Sequence, residues 1–169
     1  NAVENSPIPF ALHLDHCKDV EMVFECIDNG WTSVMYDGSS FPFEENLANS
    51  KKVVKKAHAK GVSVEGEIGA VWGVEDDISV EENPDMLADP NKAVQYASET
   101  GVDAFAPAIG TAHGLYKGVP KLDFERLKEI ARRVEAPIVI HGGTGLSEEV
   151  FKKLISYGGA KVNISTQLK

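Results

Sequence analysis

Three histidines, His16, His113 and His141, each follow a β-rich run of the sequence. Histidine is a common ligand of catalytic metals. Three imidazoles that meet at one point would form a catalytic zinc site, with three protein ligands and one position left for substrate. The alternative is that each histidine only makes structural hydrogen bonds.

Asp15 is the carboxylate best placed to work beside such a metal. It is adjacent to His16 and two residues after His13, so that it shares a strand face with His13. A carboxylate next to a metal can move a substrate proton while the cation withdraws charge. Alternatively, Asp15 only accepts a hydrogen bond and thereby orients a histidine. We assign such a supporting role to His13.

A glycine-rich turn follows His141 and indicates a phosphate site. Gly142, Gly143 and Gly145 lead into a helix that Ser147 can cap, and backbone N–H groups at such a turn can approach an anion. The alternative is a tight turn that only needs positive φ. One amide and two hydroxyl groups follow the next β-rich run, on Asn163, Ser165 and Thr166.

Six β-rich runs alternate with amphipathic stretches, which predicts an α/β fold with a parallel sheet. The predicted strands are 8–14, 33–36, 61–65, 103–109, 137–140 and 160–164. The predicted helices are 20–30, 49–61, 89–101, 122–134 and 147–157. The carboxyl ends of parallel strands lie at one face, where the polar residues can converge. An open doubly wound sheet and most of an eight-stranded barrel both fit this pattern.

The composition is that of one ordinary globular domain, residues 1–169. The chain is 43% hydrophobic and 25% charged, and it has no apolar run of the roughly 20 residues that a membrane helix needs. Its two cysteines, Cys17 and Cys26, form no CxxC motif, so we expect free thiols and a cytoplasmic location. Because the first residue is Asn1, we expect the sequence to be a fragment or a processed product.

The net charge of −9 argues against nucleic acid as a partner. Seven of the 26 acidic residues lie between Glu75 and Asp89, in a stretch without Lys or Arg. Most of the net negative charge therefore lies in one irregular insert, residues 72–89. An anionic substrate elsewhere on the chain is not excluded.

Taken together, these motifs resemble those of the class II, metal-dependent ketose-bisphosphate aldolases, in that family's order. They are the segments 12–16, 36–39, 42–46, 64–69, 108–114, 141–145 and 161–164. The family has an eight-stranded β/α barrel (TIM barrel), and the resemblance implies that this chain holds its third to eighth strands. Six strands cannot close such a barrel, so we expect missing segments or a partner that supplies them.

The resemblance implies reversible cleavage of a ketose 1,6-bisphosphate to dihydroxyacetone phosphate and glyceraldehyde 3-phosphate. His16, His113 and His141 would hold Zn²⁺, and Asp15 would take the C4 hydroxyl proton. Glu75 would exchange a proton at the dihydroxyacetone phosphate carbon, and the acidic insert would be a lid over the substrate.

Further roles follow from the same resemblance. Asp37 and Glu67 would bind a second or displaced ion, and Asn163 would contact the enediolate oxygen. The phosphate, with a monovalent cation (Na⁺ or K⁺) nearby, would be held by Gly142, Gly143, Ser165 and Thr166. The protein would be a homodimer or homotetramer and would contact neither nucleic acid nor membrane.

Two residues depart from the family pattern. Ser165 stands where fructose-bisphosphate members usually carry aspartate, and Ser40 replaces a common histidine. Both changes keep tagatose bisphosphate as an alternative to fructose bisphosphate. The family's phosphate-binding arginine from beyond the last strand does not occur in this sequence.

Three other functions remain open from the sequence. A zinc hydrolase on a similar barrel would use metal-bound water, and a Schiff-base aldolase would use Lys161. The chain could also be a non-catalytic barrel fragment that serves as a binding module.

Overall fold

The computed structural model describes residues 6–75, 78–80, 87–114, 120–166 and 168 and confirms an α/β fold with a parallel main sheet. The six strands of this sheet, in spatial order, are β1 (His13–Cys17), β2 (Ser33–Tyr36), β3 (Ser63–Ile68), β6 (Ala104–Pro107), β8 (Ile138–Ile140) and β9 (Gly159–Val162). Each strand pairs in parallel with the next one in the sheet. The spatial order therefore follows the chain order, as in a β/α barrel.

The main sheet curls into a half-barrel around a lumen. Asn163 follows β9, yet its Nδ2 lies 3.5 Å from Oδ1 of Asp15 in β1. In a flat sheet, strands spaced about 4.8 Å apart would put β1 and β9 roughly 24 Å from each other. The contact across the sheet is thus possible only because the sheet wraps, which confirms the incomplete barrel that the family resemblance implies.

Five helices cover the outer face of this sheet: α1 (Val20–Asp28), α2 (Phe43–His58), α3 (Pro90–Thr100), α4 (Phe124–Arg133) and α5 (Glu148–Ser156). Their buried faces pack on the strands in one core that includes Val23, Val53, Phe105, Leu127 and Leu154. Among the described residues, no helix is both long and apolar enough to cross a membrane.

Helices α1, α3, α4 and α5 begin and end close to the predicted positions, because each starts at a side-chain cap. The capping residues, which accept backbone N–H groups of the first turn, are Asp19, Asp89, Asp123 and Ser147. The prediction that a helix starts at Asn49–Ser50 is wrong, since α2 begins at Phe43. This helix has Pro42 as its N-cap and no side-chain cap, so the usual signal is missing there.

The first predicted strand, 8–14, is also misplaced. Pairing with β2 starts only at His13, so β1 begins five residues later than predicted and continues past Leu14 through His16 to Cys17. Ile8, Phe10 and Leu12 precede the strand and are 64%, 60% and 53% exposed. The apolar run therefore does not predict which residues pair.

The acidic insert is more regular than the sequence suggests. Two short strands within it, β4 (Trp72–Glu75) and β5 (Ile78–Val80), pair antiparallel as a hairpin. Strand β4 also pairs in parallel with β7 (Ala112–His113), which connects the hairpin to a predicted metal ligand. Residues 76, 77 and 81–86 of the predicted lid lie outside the described residues.

A buried polar network joins α2 and α3 to the end of β3. The Tyr96 hydroxyl lies 2.6 Å from Ser50 Oγ, which donates to Asn46 Oδ1 at 3.2 Å. Asn46 Nδ2 in turn donates to the carbonyl of Glu67 at 2.8 Å. Burial raises the pKa of Tyr96, so its hydroxyl stays protonated and can donate to Ser50. The network thereby fixes the backbone at a predicted site residue.

Replacing Tyr96 by Phe should lower the free energy of unfolding by about 1–2 kcal/mol, because a buried hydrogen bond is lost while the ring stays. Urea denaturation measures this. The control is Tyr157→Phe, since the Tyr157 hydroxyl makes no hydrogen bond within the part of the chain that the structure describes. That variant should stay within about 0.5 kcal/mol of the parent. Equal losses in both variants would contradict a role for the network.

Candidate metal centre and substrate cavity

A bulge in β1 lets two adjacent side chains reach the same site. In a regular strand Asp15 and His16 would point to opposite faces. The pairing of β1 with β2 shifts register between Leu14 and Cys17, and His16 has a φ of 47°. This left-handed conformation costs a non-glycine residue about 1 kcal/mol or more, and such strain is common at functional sites.

The structure brings the three predicted metal ligands together. His16 lies in the bulge, His113 in β7 and His141 directly after β8. Their ring centroids are 4.8 Å apart for His16 and His113, 4.5 Å for His16 and His141, and 6.0 Å for His113 and His141. One nitrogen from each ring lies within 4.8 Å of the other two. The arrangement is compact enough for one ion.

Carboxylates behind two of the rings decide which nitrogens face the centre. Asp37 Oδ2 lies 2.9 Å from His16 Nδ1, and Glu65 Oε1 lies 2.8 Å from His141 Nε2. A carboxylate only accepts, so these two ring nitrogens carry the protons. The remaining nitrogens, His16 Nε2 and His141 Nδ1, then face each other at 2.9 Å.

Two nitrogen lone pairs at this distance require a cation or a shared proton between them. Nitrogen ligands of a tetrahedral zinc ion, each bound at about 2.0–2.1 Å, lie about 3.3 Å apart, which is close to the observed separation. Burial lowers the pKa of His16, but Asp37, Glu67 and Asp15 outweigh burial and raise it to about 9. Positive charge is thus strongly favoured here, and the donor set fits a divalent metal.

A second group of possible ligands lies on the other side of His16. Asp37 and Glu67 are the predicted second-ion residues, and Glu67 Oε2 lies 3.9 Å from His16 Nδ1. Burial and the nearby charge of Asp37 raise the pKa of Glu67 well above its usual value. For Asp37, burial is outweighed by hydrogen bonds from His16 and Ser39, which lower its pKa to about 2. A cavity of about 30 Å³ beside these residues has room for one water-sized species.

Asp15 and Asn163 lie on the cavity side of the three histidines. Both line a cavity of about 700 Å³ that fills the open lumen. Burial acts to raise the pKa of Asp15, but His13, His16 and His141 together hold it well below its usual value. Asn163 Nδ2 also lies 3.3 Å from His141 Nδ1. Asp15 is therefore an ionised acceptor next to the candidate centre.

The predicted phosphate residues divide into two groups. Gly142, Ser165 and Thr166 line the cavity, together with Thr144. Gly143 instead donates its N–H to the carbonyl of Asn163 at 2.9 Å, and a Cβ there would collide with Val162. Close packing between the turn and the end of β9 is thus sufficient to explain why residue 143 is a glycine.

Other predicted residues are placed as follows. His13 Nδ1 lies 2.8 Å from Ser33 Oγ, and its Nε2 lies 3.7 Å from Asp15 Oδ1, which agrees with an orienting role. The backbone of Glu75 ends β4, but its side chain lies outside the described residues. Ser40 borders the small cavity next to Asp37.

Sequence analysis assigns no role to Glu65, although its carboxylate contacts His141 Nε2 at 2.8 Å. The signal was present in β3, where Glu65 and Glu67 alternate and so face the same side of the strand. Lys161 is the Schiff-base candidate of the sequence analysis, but its ammonium group contacts Glu65 at 2.6 Å. Such long-range pairs leave no pattern in a single sequence.

Comparisons with known proteins agree with the resemblance. A sequence model of the family described as "Fructose-bisphosphate aldolase class-II" matches residues 1–169. The chain is 49% identical over 163 residues to fructose-bisphosphate aldolase of Staphylococcus aureus strain Mu50. The aligned region covers 96% of this chain and 56% of that protein. It therefore spans little more than half the length of this curated relative.

Solved structures match with the same coverage. The YdjI aldolase from Escherichia coli K12 superposes with a TM-score of 0.83 at 35% identity, over 98% of this chain and 57% of that one. A putative fructose-1,6-biphosphate aldolase from Coccidioides immitis gives a TM-score of 0.85 at 35% identity, over 96% and 58% of the two chains. The half-barrel is thus shared with aldolase structures.

Gly142→Ala should destabilise the protein by more than backbone strain alone. Gly142 has a φ of 68°, and a Cβ there would collide with the backbone of Ala112, next to His113. The control is Gly61→Ala, because Gly61 has a φ of 69° but open space around it. We expect a loss of about 1 kcal/mol for Gly61→Ala and clearly more for Gly142→Ala in chemical denaturation. Equal losses would show that residue 142 is not tightly packed against β7.

Proposed function

Because the chain belongs to the class II fructose-bisphosphate aldolase family, we propose that it provides the metal centre and the acid–base residue for reversible cleavage of a ketose 1,6-bisphosphate. The products would be dihydroxyacetone phosphate and glyceraldehyde 3-phosphate. The observation that carries this proposal is the pair of opposed imidazole nitrogens on His16 and His141, because a carboxylate holds each ring at its other nitrogen. Asp15 lines the cavity beside them. This donor set, in a cavity large enough for a sugar bisphosphate, is what the reaction needs.

His16, His113 and His141 would hold the ion, which we propose to be Zn²⁺. When bound, it would supply polarisation of the substrate ketone and stabilisation of the negative charge that develops as the C3–C4 bond breaks. Imidazole ligands with an open position suit zinc. Asp37 and Glu67 would accommodate a second or displaced ion, since a buried pair of carboxylates is costly without a cation or a proton.

Asp15 would take the proton of the C4 hydroxyl in cleavage and return it in synthesis. Its side chain is 44% exposed towards the cavity, while its low pKa keeps it ionised and able to accept a proton at neutral pH. Asn163 would donate a hydrogen bond to the substrate oxygen that gains charge. Its amide already lies within reach of both Asp15 and His141.

The phosphate would be bound by Gly142, Ser165 and Thr166 at the rim of the cavity, with Na⁺ or K⁺ nearby. Glu75 would exchange a proton at the dihydroxyacetone phosphate carbon, and the segment 72–89 would close over the substrate. The pairing of β4 with β7 supports this lid, because it joins the base of the segment to the strand of His113. A homodimer or homotetramer and a cytoplasmic location remain predictions.

Fructose and tagatose 1,6-bisphosphates assayed in parallel test the function. We expect release of glyceraldehyde 3-phosphate, measured by a coupled NADH assay, that stops with a chelator and returns with Zn²⁺. The sugar that is cleaved faster shows whether Ser40 and Ser165 accompany a preference for fructose bisphosphate or for tagatose bisphosphate. Zinc-dependent ester hydrolysis without ketose cleavage would indicate a hydrolase. Zinc binding without any turnover would indicate a non-catalytic module, and either result would overturn the proposal.

Asp15→Asn should lower turnover roughly 10²- to 10⁴-fold, because the amide cannot take the hydroxyl proton. The zinc content, measured by atomic absorption, should not change, since Asp15 is not among the three proposed ligands. Asp28→Asn is the control, because the Asp28 side chain forms surface ion pairs with Lys56 and Lys60 and makes no other contact of this kind among the described residues. Unchanged turnover in Asp15→Asn would remove this residue from the mechanism.

A further inference from the structure

Lys161 in β9 and Asn163 directly after this strand lie at opposite sides of the His141 ring. Lys161 and Asn163 are two residues apart, so they face the same side of the chain. Asn163 Nδ2 approaches His141 Nδ1 at 3.3 Å, on the side of the candidate metal. Lys161 Nζ donates to Glu65 Oε2 at 2.6 Å, and Glu65 Oε1 contacts His141 Nε2 at 2.8 Å. Lys161 thus reaches the far side of the same ring through one carboxylate.

The Glu65 carboxylate is buried, and each of its oxygens has a different partner. Its side chain is 3% exposed, and a buried carboxylate needs a countercharge close by. His141 Nε2 donates to Oε1 at 2.8 Å, and His13 Nε2 lies farther away, 4.0 Å from Oε2. Among the described residues, the ammonium of Lys161 is the lysine or arginine group in direct contact with Glu65, at 2.6 Å from Oε2. Burial raises the pKa of Glu65, but His141 and Lys161 together hold it below its usual value.

Because one oxygen is held by Lys161, the carboxylate has only one orientation left. In that orientation Oε1 points at His141 Nε2, which places the proton of the ring there. Nδ1 then keeps its lone pair and faces His16 Nε2. Partners that hold a ligating histidine in this way fix its tautomer and raise its basicity.

We infer that Lys161 is a positioning residue for the metal centre: by anchoring Glu65 it fixes the tautomer and orientation of His141 for metal binding. This inference rests on the metal centre of the proposed function and gives Lys161 a role other than a Schiff base. Within the part of the chain that the structure describes, Lys161 lines the same cavity as Asp15, but its ammonium group makes its hydrogen bond to Glu65 and none to Asp15 or the three histidines. It therefore acts through Glu65.

Zinc affinity without substrate tests this role independently of turnover. Lys161→Met keeps most of the aliphatic stem but removes the charge, and Lys161→Arg keeps the charge. Competition with a chromophoric chelator should show zinc bound roughly 10- to 100-fold more weakly by Lys161→Met, as is typical for partners of metal ligands. Lys161→Arg should recover most of the affinity. Lys55→Met, on the exposed face of α2, is the matched control and should bind as the parent does.

The visible absorption of the Co²⁺-substituted protein adds a readout of ligand geometry. We expect an altered spectrum for Lys161→Met and the parent spectrum for Lys161→Arg. Parent-like affinity and spectrum in Lys161→Met would overturn the positioning role. A parent protein that binds neither ion would instead overturn the proposed metal centre, so the two failures are distinguishable.

If circular dichroism shows that Lys161→Met does not fold, a second variant tests the same role. Lys161→Met combined with Glu65→Gln leaves no unbalanced buried charge, so its stability should recover. Its zinc affinity should stay weak, because the amide at position 65 is no longer anchored. If this double variant regains the parent affinity, the positioning role is wrong, and Lys161 only balances a buried charge.

Discussion

The approach of His16 Nε2 to His141 Nδ1 at 2.9 Å is the constraint on which the site depends. These residues lie 125 positions apart in sequence and on strands that are far apart in the sheet order. Only the curl of the sheet brings them together. Every element that maintains this curl therefore also maintains the candidate metal centre.

Buried carboxylates determine which nitrogens of His16 and His141 face each other. Asp37 and Glu65 each hold the outer nitrogen of one histidine, so the inner nitrogens present lone pairs to each other. The same carboxylates place negative charge in a region with little solvent, where it attracts a cation strongly. The architecture thus favours a metal at this point for reasons that concern charge as much as ligand geometry.

Strain and packing around the centre are distributed over separate elements. The left-handed backbone of His16 costs stability, whereas the buried network of Tyr96, Ser50 and Asn46 holds the end of β3 from the outside. The turn at Gly142 brings the loop after β8 against β7. A functional site that contains one strained residue needs such rigid surroundings to keep its geometry.

The sequence by itself determined the α/β class, the capped helices and the histidines of the site, because periodicity, capping residues and residue type are local properties. It misplaced the starts of α2 and β1, where Pro42 provides no side-chain cap and the register with β2 begins only at His13. It did not assign Glu65 and Lys161 to the support of His141. Only the tertiary structure decided the bulge at His16, the hairpin in the acidic insert and these charge pairs, since each depends on contacts between residues distant in the chain.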